Sequence, residues 1–102
     1  MTYLDAVAEE IRRAVPSNAR PHDDTSALFL TYAVLPLAKG QEVTRADVHN
    51  AWVVWIIGKG ETHESMVPFR ELPPQTQAED SPFMVAIRTV AQKREPGRSL
   101  PD

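Results

Sequence analysis

Seven consecutive apolar residues at positions 51–57, AWVVWII, leave this chain few ways to fold. Most of such a run has to be taken out of water, and its flanks decide whether that happens as helix or as strand. Thr44 is a good helix N-cap, and Asp47, three residues on, is placed to reach back as the acidic half of a capping box. Val48, Ala51, Trp52, Trp55 and Ile56 then fall at i, i+3, i+4, i+7 and i+8, one wide helical stripe. Val53, Val54 and Ile57 lie on the other side, so the helix is apolar nearly all round. Such a helix is either the sandwiched centre of the domain or turns half of itself to a partner chain. The β-branched and aromatic residues of 51–57 would also suit a buried strand. The Thr44 cap, Gly58 and Gly60 at the far end and the lack of a pairing strand favour helix.

The rest of the chain reads as helices around this one. In residues 2–15, Leu4, Val7, Ala8, Ile11 and Val15 make an apolar stripe opposite Asp5, Glu9, Glu10, Arg12 and Arg13, and Pro16 ends the helix. Turn formers fill the stretch from 17 to 24. A second helix begins at Asp24 or Thr25, carries Leu28, Tyr32 and Leu35 on one face, bends at Pro36 and stops at Gly40. Pro68 and the Pro73–Pro74 pair bar regular helix over residues 65–72, which should run extended with Val67, Phe69 and Leu72 as anchors. Residues 75–80 suit one short polar turn. Ser81 as N-cap and Pro82 at the first helical position start a last helix with Phe83, Ala86, Ile87, Val90 and Ala91 as its stripe. The fold expected is mainly α, a bundle of about four helices in one domain over residues 1–92, with 93–102 as a flexible tail.

Composition narrows the function classes. At 102 residues the chain builds one modest core. A net charge of −3 with scattered basic residues gives no footprint for nucleic acid. There is no cysteine, hence no disulfide or thiolate metal site. No apolar run approaches the ~20 residues of a membrane span, and no leader pattern opens the chain, so a cytoplasmic location with no membrane partner is expected.

Val48, His49 and Trp52, then His63, then Met66, Val67, Pro68 and Phe69, then Leu72 and Pro73, and finally Ile87 and Val90 follow one another in an order that resembles the RyR domain, the repeat first named in ryanodine receptors. The resemblance covers about half the chain, roughly residues 44–91. Between the tryptophan helix and the histidine, RyR domains carry a Gly-Trp and Tyr-Gly turn and a charged segment; here only residues 58–62 stand there. The chain is also similar to small actinobacterial and phage proteins with YAVL-x-x-AKG, VH-x-AW and H-x-S-x-VPF segments. These likenesses imply a helical module that binds a ligand or partner, with a nucleotide-like signal in a phage or defence setting as the class suggested, and no chemistry.

The candidate site residues are His49, Trp52, Trp55, His63, Glu64 and Ser65. His63, Glu64 and Ser65 are adjacent, and adjacent residues seldom converge on one reacting atom, so a turn is a better reading than a hydrolase. His49 and His63, fourteen residues apart, make poor evidence for a metal. Trp52 and Trp55 suit core packing or stacking on a flat ligand, and one ring inside with the other lining a groove beside His63 is the expectation. Lys93, Arg94 and Arg98 belong to the tail. Two functions follow: a non-enzymatic binding module without cofactor, its polar pocket between the central helix and residues 63–69; or a homo-oligomerising subunit that buries Val53, Val54 and Ile57.

Overall fold

The first helix, α1 (Tyr3–Ala14), starts where the sequence asks it to: the Thr2 hydroxyl accepts the Asp5 N–H, and the Asp5 carboxylate accepts the Thr2 N–H at 2.7 Å. The computed structural model describes residues 2–21 and 25–94. On the wet face of α1, Glu9 accepts from Arg12 and Arg13 at 2.8–3.0 Å. On its dry face Val7, Ile11 and Val15 are fully buried, each apolar side chain stabilising by about 1.5–3 kcal/mol. One 3₁₀ turn, Ser17–Ala19, follows. Of the two start residues expected for the second helix, Thr25 is the N-cap and Asp24 lies outside the described residues.

Helix α2 (Ser26–Lys39) runs through Pro36 to Gly40, whose φ of 59° is open to glycine at little strain. It packs against α1, α3 and α5, most extensively against α1, so the bundle is centred on α2 more than on the apolar run. A 3₁₀ turn, Gly40–Glu42, leads to α3 (Arg45–Gly58). The second capping box is as expected: Thr44 Oγ1 accepts from the Asp47 N–H, and Asp47 Oδ2 from the Thr44 N–H. Helix is thus the form the apolar run takes. It is not sandwiched, however. Val48, His49, Ala51 and Ile56 are buried, whereas Val54 and Ile57 are 57% and 61% exposed and Val53 is half-buried.

Helix α3 ends in a Schellman turn: Glu61 N–H donates to Ile56 C=O at 3.3 Å and Gly60 N–H to Ile57 C=O at 2.9 Å. Gly60 takes the left-handed position with φ 72°. The chain then crosses the bundle without regular helix until the 3₁₀ turn Phe69–Glu71 inside the proline-bounded segment. Short α4 (Pro74–Ala78) ties that crossing down, because the Gln77 amide donates to the carbonyls of Phe69 and Leu72 at 3.1 and 3.0 Å. Helix α5 (Ser81–Lys93) closes the core with Ala86, Ile87, Val90 and Ala91, and its Arg88 holds the Val43 carbonyl at 2.8 Å. Lys93 ends α5 and Arg94 pairs with Glu10 of α1; of the tail expected over 93–102, residues 95–102 lie outside the described residues. The result is one small four-helix bundle with no strand among the described residues. None of the described helices is long and apolar enough to cross a membrane.

Candidate functional site

A cavity of about 640 Å³ opens where α2, α3 and the start of α5 meet the crossing segment. That volume is in the range of small-ligand pockets. Its walls are aromatic. Trp52 stacks on His49 with ring centroids 5.8 Å apart and meets His63 edge-on at 5.2 Å, while Tyr32 and Phe83 lie 5.6 Å apart on the opposite side. Trp55 completes the wall on α3, and its ring also carries the Lys59 ammonium, 4.3 Å from the centroid. Both tryptophans are half-buried and both line the cavity, so the division into one core ring and one groove ring does not hold. With only one side of α3 packed on the bundle, both rings fall at its rim.

Three polar residues at this cavity keep hydrogen-bonding capacity that no described residue takes up. Tyr32 is 2% exposed, and burial first, then the nearby Asp80 charge, raises its phenol above the ordinary value. His49 is 3% exposed. Its Nε2 lies 2.7 Å from the Val67 carbonyl oxygen, which can only accept, so Nε2 carries the proton and Nδ1 of the neutral ring is left as an acceptor. Asp80 is half-buried, and burial pushes its carboxyl up to about 6, against the pull of His49 and Arg45 and with a push from Glu79. Asp80 is also the N-cap of α5 yet makes no capping bond.

Of the residues singled out in the sequence, His49, Trp52, Trp55, His63 and Ser65 come together here; Glu64 is exposed and outside the lining. His63 is exposed at the rim, where its Nδ1 accepts the Ser65 backbone N–H at 3.0 Å. That bond closes a two-residue turn and engages the amide of Ser65, not its hydroxyl, so nothing in it activates a nucleophile. Neither side chain caps α3, whose last carbonyls are taken by residues 59–61. Tyr32, Glu79, Asp80 and Phe83 were not legible as site residues. Tyr32 and Phe83 read as stripe residues, and Asp80 sits one position before the expected cap Ser81. A second depression of about 430 Å³ between α1 and α2 is lined by charged groups such as Glu9, Arg12 and Arg20 that already have partners. No group of three or more histidine and acidic side chains among the described residues is placed to hold a metal.

Fold and cavity together define a small all-helical domain with one aromatic-walled pocket. The chain belongs to the DUF7701 family, a domain of unknown function, whose sequence model matches residues 2–92. No curated protein and no solved structure matches it. The resemblance to RyR repeats and to the small phage and actinobacterial proteins is corrected accordingly: the family matched is this one, and nothing indicates an RyR repeat. The shared Val-Pro-Phe and Leu-Pro residues have local reasons in this fold. Prolines interrupt the crossing segment, and Val67, Phe69 and Leu72 anchor it through the His49 and Gln77 bonds.

Proposed function

We propose that this domain is a non-catalytic binding module whose cavity takes a small organic ligand with a flat or compact apolar body. The observation that carries the reading is the coincidence of aromatic walls with the Tyr32 hydroxyl, His49 Nδ1 and the Asp80 carboxylate, none of them bonded to a described residue, at the same cavity. No side-chain nitrogen or oxygen closed from water lacks a partner among the described residues, so the open positions at this cavity face solvent and are available to a ligand. The nucleotide-like ligand follows only from the resemblance, and with Glu79 and Asp80 lining the cavity the ligand proposed carries no phosphate.

Thermal-shift screening of a chemically diverse library tests this. A ligand at a hundred times its Kd adds about 2.7 kcal/mol and moves the melting temperature by several degrees. Trp52→Ala should reduce that shift to a small fraction. A library without hits, or hits indifferent to Trp52→Ala, would remove the reading.

A second reading, self-association, is supported by aliphatic side chains left in water on two helices: Leu30, Val34 and Leu37 at i, i+4 and i+7 on α2, and Val54 and Ile57 on α3. Sedimentation at micromolar concentration tests it, with dimer converted to monomer by Val34→Glu or Ile57→Glu as the expected result. A monomer in the unaltered chain rejects it.

A further inference from the structure

The cavity is unequal in what it offers a ligand's polar end. His49 Nε2 donates to the Val67 carbonyl, so in the neutral ring Nδ1 is the nitrogen left to accept. The Asp80 carboxylate accepts through either oxygen when ionised. The Tyr32 oxygen accepts as well as donates. Tyr32, His49 and Asp80 all line this one cavity. No lysine or arginine lines the cavity among the described residues, and Glu79 adds a second carboxylate at its edge. Aromatic faces of the kind that line it also attract cations, as Trp55 already does with Lys59.

We infer that the group selected by this cavity is a protonated amine, its three N–H bonds directed at Asp80, His49 Nδ1 and the Tyr32 oxygen and its apolar body lying against Trp52 and Phe83. An ammonium has three donors and no acceptor, the complement of what these side chains present. A carboxylate or phosphate would meet Asp80 and Glu79 as like charges, and an alcohol would satisfy one or two of the three groups. The uncapped state of α5 fits the same picture, because an Asp80 turned into its own helix end would not be available. Binding requires Asp80 ionised, so affinity falls as the pH drops through about 6. The charged and titratable groups around Asp80 are His49 and Arg45 on α3, Tyr32 on α2, neighbouring Glu79, and His63 at the rim.

This inference rests on the pocket reading above, and one experiment separates their fates. Phenethylamine, phenethyl alcohol and 3-phenylpropanoate share a body and differ in the polar end. The chain has two tryptophans, so two indole N–H resonances report occupancy as each compound is titrated to millimolar concentration. The amine should bind at least tenfold tighter than the alcohol, with the carboxylate weakest. In Asp80→Asn the amine and the alcohol should become equal. In Tyr32→Phe, which keeps the ring, the preference should shrink severalfold. Should the alcohol match the amine in the unaltered chain, or the preference or its pH dependence survive Asp80→Asn, the inference is overturned while the pocket stands. If none of the three moves either indole signal, the pocket reading goes and this inference with it.

Discussion

The junction of α1, α2 and α5 is aliphatic and closed, and the cavity under α3 is aromatic and open. At the junction Val7, Ile11, Val15, Ile87 and Val90 are closed from water, and the charges at its rim have partners: Glu9 with Arg12 and Arg13, Glu10 with Arg94, Arg88 with the Val43 carbonyl. At the cavity Trp52, Trp55 and Phe83 are half-buried, and Tyr32, His49 and Asp80 each keep bonding capacity unused. The carboxylates record the contrast. Hydrogen bonding from Arg12, aided by Arg13, holds Glu9 down at about 2, whereas burial pushes Asp80 up to about 6. Stability alone would pair or remove such groups. A fold that satisfies its polar atoms on one side and leaves them open on the other is selective about where it is incomplete.

The largest expected effect tests whether the two regions differ energetically. Ile87→Ala, in the closed junction, should lower unfolding free energy by about 3 kcal/mol through lost burial and a cavity that neighbours cannot fill. Trp52→Ala removes a larger side chain and should cost less than half as much, since the ring already faces open space. Urea unfolding of both variants decides. Equal losses would mean that the cavity wall is core and that the contrast fails.

Asp80 gives the next test. Its folded-state value, about 6, lies above the ordinary 3.8, so the folded protein binds this proton more tightly than the unfolded chain does. Its contribution therefore favours folding below about 3.8, declines as pH rises from there through 6, and is flat above. The loss by pH 7 should be about 1–2 kcal/mol once solvent screening at this half-exposed group is allowed for. Asp80→Asn should accordingly be more stable than the unaltered chain at pH 7 and should flatten this limb of the pH profile. Glu9 and Asp5, whose values are lowered by Arg12 and by the Thr2 backbone respectively, act with the opposite sign at lower pH. Carboxyl NMR titration that placed Asp80 with the ordinary carboxylates would erase the electrostatic half of the comparison.

The closed region was the legible one. Apolar periodicity located α1, α2 and α5, and the capping box of α3 followed from Thr44–Asp47, because these signals act within one turn of helix; the same box at Thr2–Asp5 is a finding of the structure. The cavity depends on contacts distant in sequence, such as His49 with Val67 and Tyr32 with Phe83, and local pattern is silent on those. Proximity to the tryptophan helix was enough to find His49, Trp52, Trp55, His63 and Ser65. It gave no means of telling that Tyr32, from a core stripe, would turn its hydroxyl to the same space, or that Glu64 would miss it. The apolar run misled in one respect: its length suggested a central helix, but the bundle closes through α2 and leaves Val54 and Ile57 outside.

The smallest effect concerns the joint between the regions. Gly60 sits at φ 72° in the turn that ends α3 and leads to His63, and a methyl group there meets nothing within 4 Å, so backbone strain is the whole penalty of Gly60→Ala. A loss of about 1 kcal/mol is expected from that conformation. The strain falls on the Schellman bonds of Gly60 and Glu61, two residues before His63 at the rim of the cavity. Amide exchange should therefore quicken around residues 60–66 and the Trp52 indole signal should shift with the edge-on His63 ring, while protection at Ile11 and Ile87 falls only by the global amount. A uniform response, with no local change at the rim, would show that the two regions unfold as one and that the cavity's open character brings no separate mobility with it.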